Sequence, residues 1–489
     1  MNSIKYILLL LISLPLTGLA QDISFIKAYG NLGYDYGRDI KQDTDTGYVV
    51  TGSSSSFGPD NGEAFILKID KNGEFLWSHN YGGPGADWGE SLVITNDSTY
   101  AIGGYTNSSG AGGFDFYLVR INADGTPQWE STYGGEEWDQ AFGLVQLADS
   151  GFVLAGESYS FNDGIRSGYI VRTDKDGAVL WEKYLDEDVE SFFTDIDIED
   201  DSLVLCGGIG DGGEESFDGL VYKCHIDGTF GWQKAIGREY NDYFNAIDIV
   251  GGVYGLGGAR GYNYPTEKEN MWMYRMSNIG EELLDTVYIN ESLEPDIVHD
   301  VILRAYDQDF YYIGQTQSYG YLIDGLPDVF MGKMTAIGVH FAANNYGEAG
   351  VDIGRALDIT KDNAIIFLAE TQFFSTGGND LLIIKLDAYW NYPPAPLLES
   401  LVTENITSSI LETKQTIDLG AYPNPFIDII QIPTLNQPNI QVIGIDGKIY
   451  FSEKNYPTTT IDLGALTRGT YFLRIESENK VYQQKLIKY

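Results

Sequence analysis

Residues 77–90 read WSHNYGGPGADWGE, and residues 129–140 read WESTYGGEEWDQ. In each, a Trp is followed four residues later by Tyr-Gly-Gly and then, within a few positions, by an Asp. The place of Trp77 is taken again by Trp129, Trp181, Trp232, Leu284 and Ala342, at steps of 52, 52, 51, 52 and 58 residues. An acid keeps the same register at Asp35, Asp87, Asp139, Glu190, Asp242, Asp296 and Asp352. A period of about fifty residues marks a solenoid or a propeller.

Four short apolar runs fill each unit. In the second they are ESLVIT, TYAIGGYT, FDFYLVRIN and PQWESTYG; in the third, FGLVQL, GFVLAGES, SGYIVRTD and AVLWEKYL. Runs of four to eight residues bounded by turn formers read as buried strands. Four antiparallel strands make one propeller blade, and a lone blade must stack on others. The last unit has a third strand, LLIIKLD, but no fourth. ISFIKAYGN, before Asp35, supplies it, with Phe25 in the Trp place and Tyr29-Gly30 in the Tyr-Gly place. The expected fold is all-β: a seven-bladed β-propeller closed by an N-terminal strand, which removes the exposed edges of an open stack. The Trp is then a wedge between blades, and the Gly provides the positive φ that turns the chain into the next blade.

The chain has 489 residues, with 58 Gly, 35 Tyr and only 30 Lys and Arg. Its start, MNSIKYILLLLISLPLTGLA, has one Lys, an apolar run too short to span a bilayer, and small residues at Gly18 and Ala20. This reads as a signal peptide over 1–20, cut before Gln21, with no Cys for lipid attachment. No later segment is long and apolar enough for a transmembrane helix. The formal charge is −41, and residues 421–489 carry a net of +1. So acidic a body repels nucleic acid and anionic lipid. Cys206 and Cys224 are the only cysteines; they either pair or stand as two buried thiols, and neither has the company of a zinc site.

The propeller is expected over 21–392, followed by a linker at 393–420 where prolines and mixed residues break the period. The tail at 421–489 opens AYPNPF and continues IQVIGIDGKIYF, TTTIDLGALTRGTYFLRI and VYQQKLIKY. Tyr422–Phe426, Asp446-Gly447-Lys448, Leu466–Phe472 and Lys485–Lys488 resemble the type A C-terminal sorting domain of the type IX secretion system of Bacteroidota. The resemblance implies a small C-terminal β-sandwich recognised by that machinery. It also implies a protein that is secreted or held at the outer cell surface. The propeller units look like repeats of other exported proteins of that phylum, a likeness that names no activity. Strand alternation alone gives a small β-sandwich.

The loops between second and third strands vary, from NSSGAGG to RGYNYPTEKEN and TQSYGYLIDGLPD, whereas the turns on the opposite face, such as KNG, ADG and KDG, are short and alike. Variation on one face of a rigid scaffold is how binding surfaces are built. The periodic acids read first as turn acceptors, with a cation as the other option. Asp174-Lys-Asp176-Gly177 has the look of a calcium loop but lacks its further ligands, and reads as a turn.

Three residues after each acid the repeat stops repeating: Arg38, Glu90, Phe142, Phe193, Asn245, His299 and Arg355. In a closed ring the seventh, first and second units are neighbours, so Arg355, Arg38 and Glu90 are expected to converge. The planar guanidinium fork suits a carboxylate or sulfate; solvated strand ends at a channel mouth are the plainer alternative. Tyr262, Tyr264, Tyr319 and Tyr321 in the two longest loops suit stacking on sugars or a protein surface. The candidate ligand-binding residues are therefore Arg38, Glu90, Asn245, His299, Arg355 and these four tyrosines, with no catalytic or metal-binding residue and no cofactor assigned.

No G-x-S-x-G, H-E-x-x-H or P-loop is present, and His79, His225, His299 and His340 share no motif. We rank a monomeric binding module for polysaccharide or a surface protein first. A polysaccharide-degrading hydrolase or lyase comes second, through a hidden carboxylate pair or His299 with a Tyr or Arg. A passive scaffold comes third.

Overall fold

The second and third strands of each repeat are buried along nearly their whole length because sheets cover them on both faces. In the second unit these are Tyr100–Thr106 and Asp115–Ile121. The outer strand, Pro127–Tyr133, has one side in water and alternates. That is why apolar runs, and not strict alternation, mark the inner strands in the sequence.

The computed structural model describes residues 24–31, 33–56, 62–185, 188–210, 216–237, 240–263, 267–288, 295–317, 326–346, 350–372, 378–387, 404–405, 427–432, 438–444, 449–454, 456–477 and 480–488. The expected signal peptide lies outside them, as do Tyr264, Tyr319, Tyr321 and the AYPNPF motif. Contacts divide the chain into residues 1–408 and 409–489. Among the described residues no helix is long and apolar enough to cross a membrane.

Among the described residues the larger part holds seven sheets, the blades of a β-propeller, six of them with four antiparallel strands side by side in chain order. In the seventh, Asp352–Ile359, Ile365–Thr371 and Asp380–Lys385 are joined by Phe25–Gly30 from the chain start. The pairing is antiparallel, from Phe25 opposite Lys385 to Tyr29 opposite Leu381. Glu404–Asn405 adds a short parallel fifth strand beside Tyr29-Gly30. The second strand of each sheet packs on the first strand of the next, and that of the seventh packs on the first strand of the first.

The repeated phrase is a lock between sheets. Tyr81 Oη donates to the Gly125 carbonyl at 2.7 Å, and Tyr133 Oη to that of Gly177 at 2.8 Å. Each acceptor lies in the next unit's last turn, and both glycines have positive φ, 85° and 84°. A Cβ on Gly125 would run into Trp77 and His79, and one on Gly177 into Trp129. The Trp thus packs on the next unit's glycine, as expected, and Gly82 and Gly134 turn the chain with φ of 118° and 151°. Across the junction of the chain's two ends Tyr29 Oη donates to Gly73 O at 2.5 Å, the same contact.

On the face of the short turns, a cation in the third strand pairs with an acid in, or at the edge of, the turn between first and second strands. The pairs include Lys68 with Asp45, Arg120 with Asp97, Lys223 with Glu199 and Lys385 with Asp362. A cation in a buried strand needs such a partner, so these turns repeat. Asp174 Oδ1 accepts the N–H groups of Asp176 and Ala178, both at 2.9 Å, which makes that turn an ordinary Asx turn.

Cys206 pairs opposite Val221, and Cys224 opposite Leu203. The offset of three residues puts the thiols on opposite faces of their sheet, in separate cores, and both are free and buried. Of the two sequence alternatives, the buried thiols hold.

In the C-terminal part, Ile429–Gln431 pairs with Thr460–Asp462. A second sheet runs in the order Ile449–Glu453, Asn439–Gly444, Gly469–Ser477 and Lys480–Lys488. One core, including Ile430, Ile461, Val442, Leu473 and Leu486, joins them. Lys488 Nζ is buried and donates to the carbonyls of Leu463 at 2.6 Å and Gly464 at 2.9 Å.

Candidate functional site

The column where the repeat stops repeating is a column of β-bulges. The first strand of every sheet slips by one residue against the second, leaving Arg38, Glu90, Phe142, Thr194, Asn245, His299 and Arg355 out of the ladder. A bulged residue is unpaired and re-aimed, so it is free of the packing that keeps other columns uniform. All seven line one cavity of about 650 Å³, walled by the first strands of all seven sheets.

The fourth unit departs from the sequence expectation by one position. Its bulge is Thr194, not Phe193, and Ser191 stands where the other units have their acid, not Glu190. Phe193 is buried in the core between the third and fourth sheets. Ser191 Oγ accepts the Gly168 N–H at 3.0 Å, so a hydroxyl takes over the acceptor's work.

The recurrent acids are buried turn acceptors. Asp87 accepts the Gly83 N–H at 3.0 Å and Ser108 Oγ at 2.8 Å, together with the Thr106 hydroxyl. Asp139 accepts the Gly135 N–H at 2.7 Å and Ser160 Oγ at 2.8 Å. They fix the loop that follows Tyr-Gly-Gly and belong to the scaffold. Among the described residues no acidic, His or Cys group is arranged to hold a metal ion.

At one end of the cavity Arg355, Arg38 and Glu90 meet, and Glu370 is what joins them. Arg355 donates from Nε to Glu370 Oε1 at 2.8 Å and from Nη2 to Oε2 at 3.3 Å. Arg38 Nη1 donates to the same Oε1 at 3.0 Å, while its Nε faces Glu90 Oε2 at 3.2 Å. Glu370 is 2 % exposed. Burial works against the Arg38 charge, but Glu90 and Glu370 outweigh it and raise its pKa. His299 Nε2 lies 3.3 Å from Gln315 Oε1. Burial and the charge of Arg355 push its pKa down to about 3, so it is a neutral imidazole. With Nε2–H turned to Gln315, Nδ1 is left as an acceptor. Asn245 Nδ2 donates to the Val298 carbonyl at 2.7 Å, bridging the fifth and sixth sheets.

Further along the channel Lys41 stands 3.2 Å from Asp39, with Asp195, Asp197, Asp248, Asp300 and Asp358 also lining the wall. Burial lowers the Lys41 pKa, but Asp39, Asp358 and Asp300 raise it by more. The carboxylates staple sheet to sheet through backbone amides. Asp39 accepts from Leu92, Asp195 from Ile247 and Asp300 from Leu357, each at 2.9 Å. Burial pushes the pKa of Asp248 and of Asp300 up to about 7, against the N–H bonds that each accepts.

A row of aromatic rings runs from the rim of the first three units to this cluster. Tyr34 stacks on Tyr36 at 6.2 Å, Tyr36 lies 5.5 Å from Trp88, and Trp88 stacks on Tyr105 at 6.0 Å. Phe114 meets Tyr105 edge-on at 5.2 Å and Trp138 at 5.4 Å. Tyr34 is 55 % and Trp138 53 % exposed. The Arg38 guanidinium lies 5.1 Å from the Trp88 ring centre, tying the row to the cluster. Trp138 also lines a cavity of about 380 Å³ with Glu137, Gln140, Glu157 and Tyr159.

Sequence reasoning missed Glu370, Gln315 and this row. Tyr36 and Trp88 each directly follow a recurrent acid, a column that reads Tyr, Trp, Gln, Phe192 after Ser191 in the fourth unit, Tyr, Ile and Ile and so signalled a non-uniform layer. Of the four loop tyrosines, Tyr262 falls within strand Val253–Asn263, opposite Lys268, because the fifth unit extends its hairpin ladder where a loop was expected. The other three lie outside the described residues.

Residues 420–489 match the secretion-system C-terminal sorting domain. This domain marks proteins exported by the type IX system to the cell surface or into the medium. No curated protein shows significant sequence similarity to the chain. Among solved structures, PorZ of Porphyromonas gingivalis, a surface component of the type IX secretion system, is 11 % identical with a TM-score of 0.41. The match covers 94 % of this chain, which spans 60 % of PorZ. The β-propeller domain of the Trilobed protease of Pyrococcus furiosus is 11 % identical, with a TM-score of 0.43, over 76 % of this chain and 99 % of that one. The α-L-arabinanase of Penicillium chrysogenum is 11 % identical, with a TM-score of 0.40, over 75 % and 99 %.

Proposed function

We propose that the body of this exported protein is a closed seven-bladed propeller that binds a polysaccharide across the channel mouth. The observation that carries the reading is the aromatic row from Tyr34 to Trp138, ending at the Arg38, Arg355, Glu90 and Glu370 cluster. Flat apolar ring faces beside convergent, fixed polar groups are what a ligand with an apolar face and a hydroxyl edge requires. A sugar ring is such a ligand. Closure supports the reading by making the rim rigid, so the row is preorganised and little ordering entropy is lost on binding.

The second reading, a polysaccharide-degrading enzyme, draws on the same two glutamates. Glycoside hydrolysis needs one carboxyl kept as an acid and another free to act as base or nucleophile. Glu90 and Glu370 are instead tied to guanidiniums, which favours binding. His299, held neutral, is the residue a lyase would use.

The test exposes the secreted protein to immobilised polysaccharides, scoring retention and released oligosaccharide together. Retention without product is the expected result. Product that disappears in His299→Gln or Glu90→Gln would establish the enzyme instead. Retention by none of the glycans would sink the polysaccharide reading.

A further inference from the structure

Two arginines at a channel mouth look like an anion trap, and the sequence alone pointed to a carboxylate or sulfate ligand. The geometry argues otherwise. Arg355 spends Nε and Nη2 on the two oxygens of Glu370, and Arg38 reaches the same carboxylate with Nη1 while Nε faces Glu90. Two guanidiniums and two carboxylates leave the cluster with no formal charge. His299 adds none, since its imidazole is neutral. The next charged layer along the channel sets one lysine, Lys41, among Asp39, Asp195, Asp197, Asp248, Asp300 and Asp358, so nothing deeper supplies positive potential.

We propose that Glu370 sets the charge class of the ligand: by holding Arg38 and Arg355 in one buried ion cluster, it makes the channel mouth a site for neutral, hydroxyl-rich glycans and closes it to acidic ones. This rests on the reading of the channel mouth as a glycan site. To meet an unpaired guanidinium charge, an incoming sulfate or uronate would have to displace Glu370, which is 2 % exposed. Stranding a buried carboxylate is strongly unfavourable. A sugar hydroxyl asks for nothing of the kind. It donates and accepts at once, and the cluster offers unspent guanidinium N–H groups directly beside carboxylate lone pairs. The site therefore matches hydroxyls without breaking any ion pair, and Glu370 acts as a specificity-determining residue.

The experiment compares the full secreted chain with Glu370→Gln, an isosteric change that removes the charge. Each is titrated by calorimetry with sodium sulfate at constant ionic strength, then passed over immobilised neutral glycans (xylan, mannan, laminarin, arabinan) and acidic ones (polygalacturonate, alginate, chondroitin sulfate). Wild type is expected to show no saturable sulfate binding and to be retained by neutral glycans alone. The variant is expected to bind sulfate at least ~10-fold more tightly and to gain salt-sensitive retention on the acidic set, as an unpaired guanidinium should. Saturable sulfate binding by wild type, or salt-sensitive retention of wild type on the acidic set, would overturn the proposal; so would a folded variant indifferent to sulfate. If the variant does not fold, the wild-type arms still decide. Failure of wild type on every glycan would overturn the glycan reading separately, while the sulfate titrations judge Glu370 on its own.

Discussion

Asp358, in the first strand of the seventh sheet, accepts the backbone N–H of Gln42, in the first strand of the first sheet, at 2.7 Å. The side chain of Gln42 answers by accepting the Lys361 N–H, also at 2.7 Å. The same carboxylate-to-amide staple joins sheets that are neighbours in sequence, as from Asp39 to Leu92. The contact between the seventh and first sheets is thus built from parts also used between other sheets.

If that junction is an ordinary one, Tyr29→Phe and Tyr81→Phe should destabilise equally, by about 1 kcal/mol each, the usual worth of one buried hydrogen bond. Chemical denaturation measures both. Removing residues 24–30 should do far more, since it exposes the edge of Asp380–Lys385 to other chains, and self-association in sedimentation is expected. An unchanged, monomeric truncation would mean the N-terminal strand closes nothing.

Stability should fall as the pH rises from 6.5 to 8, above the range in which the neutral His299 contributes with the opposite sign. Asp248 and Asp300 are raised to about 7 and Asp197 to about 6, all chiefly by burial, from 3.8. Between those values the native state holds more protons than the unfolded chain, so the stabilisation present at low pH is lost as these groups ionise. The melting temperature reads this directly, and Asp300→Asn should flatten the slope. A melting temperature that climbs over the same interval would contradict the assignment.

Reductant should leave the melting temperature of this exported protein unchanged, because Cys206 and Cys224 face opposite sides of their sheet. Thiol titration should find two groups, both unreactive until the protein is unfolded. A thiol count of zero would overturn the strand register.

Deleting residues 409–489 should abolish appearance at the cell surface or in the medium while leaving the propeller folded in the periplasm. Fractionation of the producing cells checks this. Normal delivery of the truncated chain would show that the sorting domain is dispensable.

How much of this was legible in the sequence depended on what kind of constraint each residue answers to. Trp77, Tyr81 and Asp87 answer to the contact between sheets, which recurs, so their period announced the fold. The bulge column was legible for the opposite reason: Arg38, Glu90, His299 and Arg355 vary where everything around them repeats. The fourth unit slipped by one because the search followed acid identity to Glu190, whereas the ladder follows register and accepts the hydroxyl of Ser191. Glu370 was hidden because it sits in the second strand, where IIFLAET reads as core, and only the pairing of Ile353 with Glu370 turns it toward the channel mouth. Trp88 and Tyr105 have no role in the sequence reading; their alignment with Tyr36 and Trp138 is a property of the assembled sheets.

The central claim is that the rim row binds the ligand, and the most direct measurement is equilibrium affinity for whichever glycan retains the wild type. Trp88→Ala with Tyr36→Ala is compared with Tyr306→Ala, a 73 % exposed tyrosine in a turn between first and second strands, away from the row. The rim pair should weaken binding at least ~10-fold, the scale of ~1.4 kcal/mol, and Tyr306→Ala should leave it unchanged. Undiminished affinity in a correctly folded rim variant, or an equal loss from Tyr306→Ala, would contradict the account.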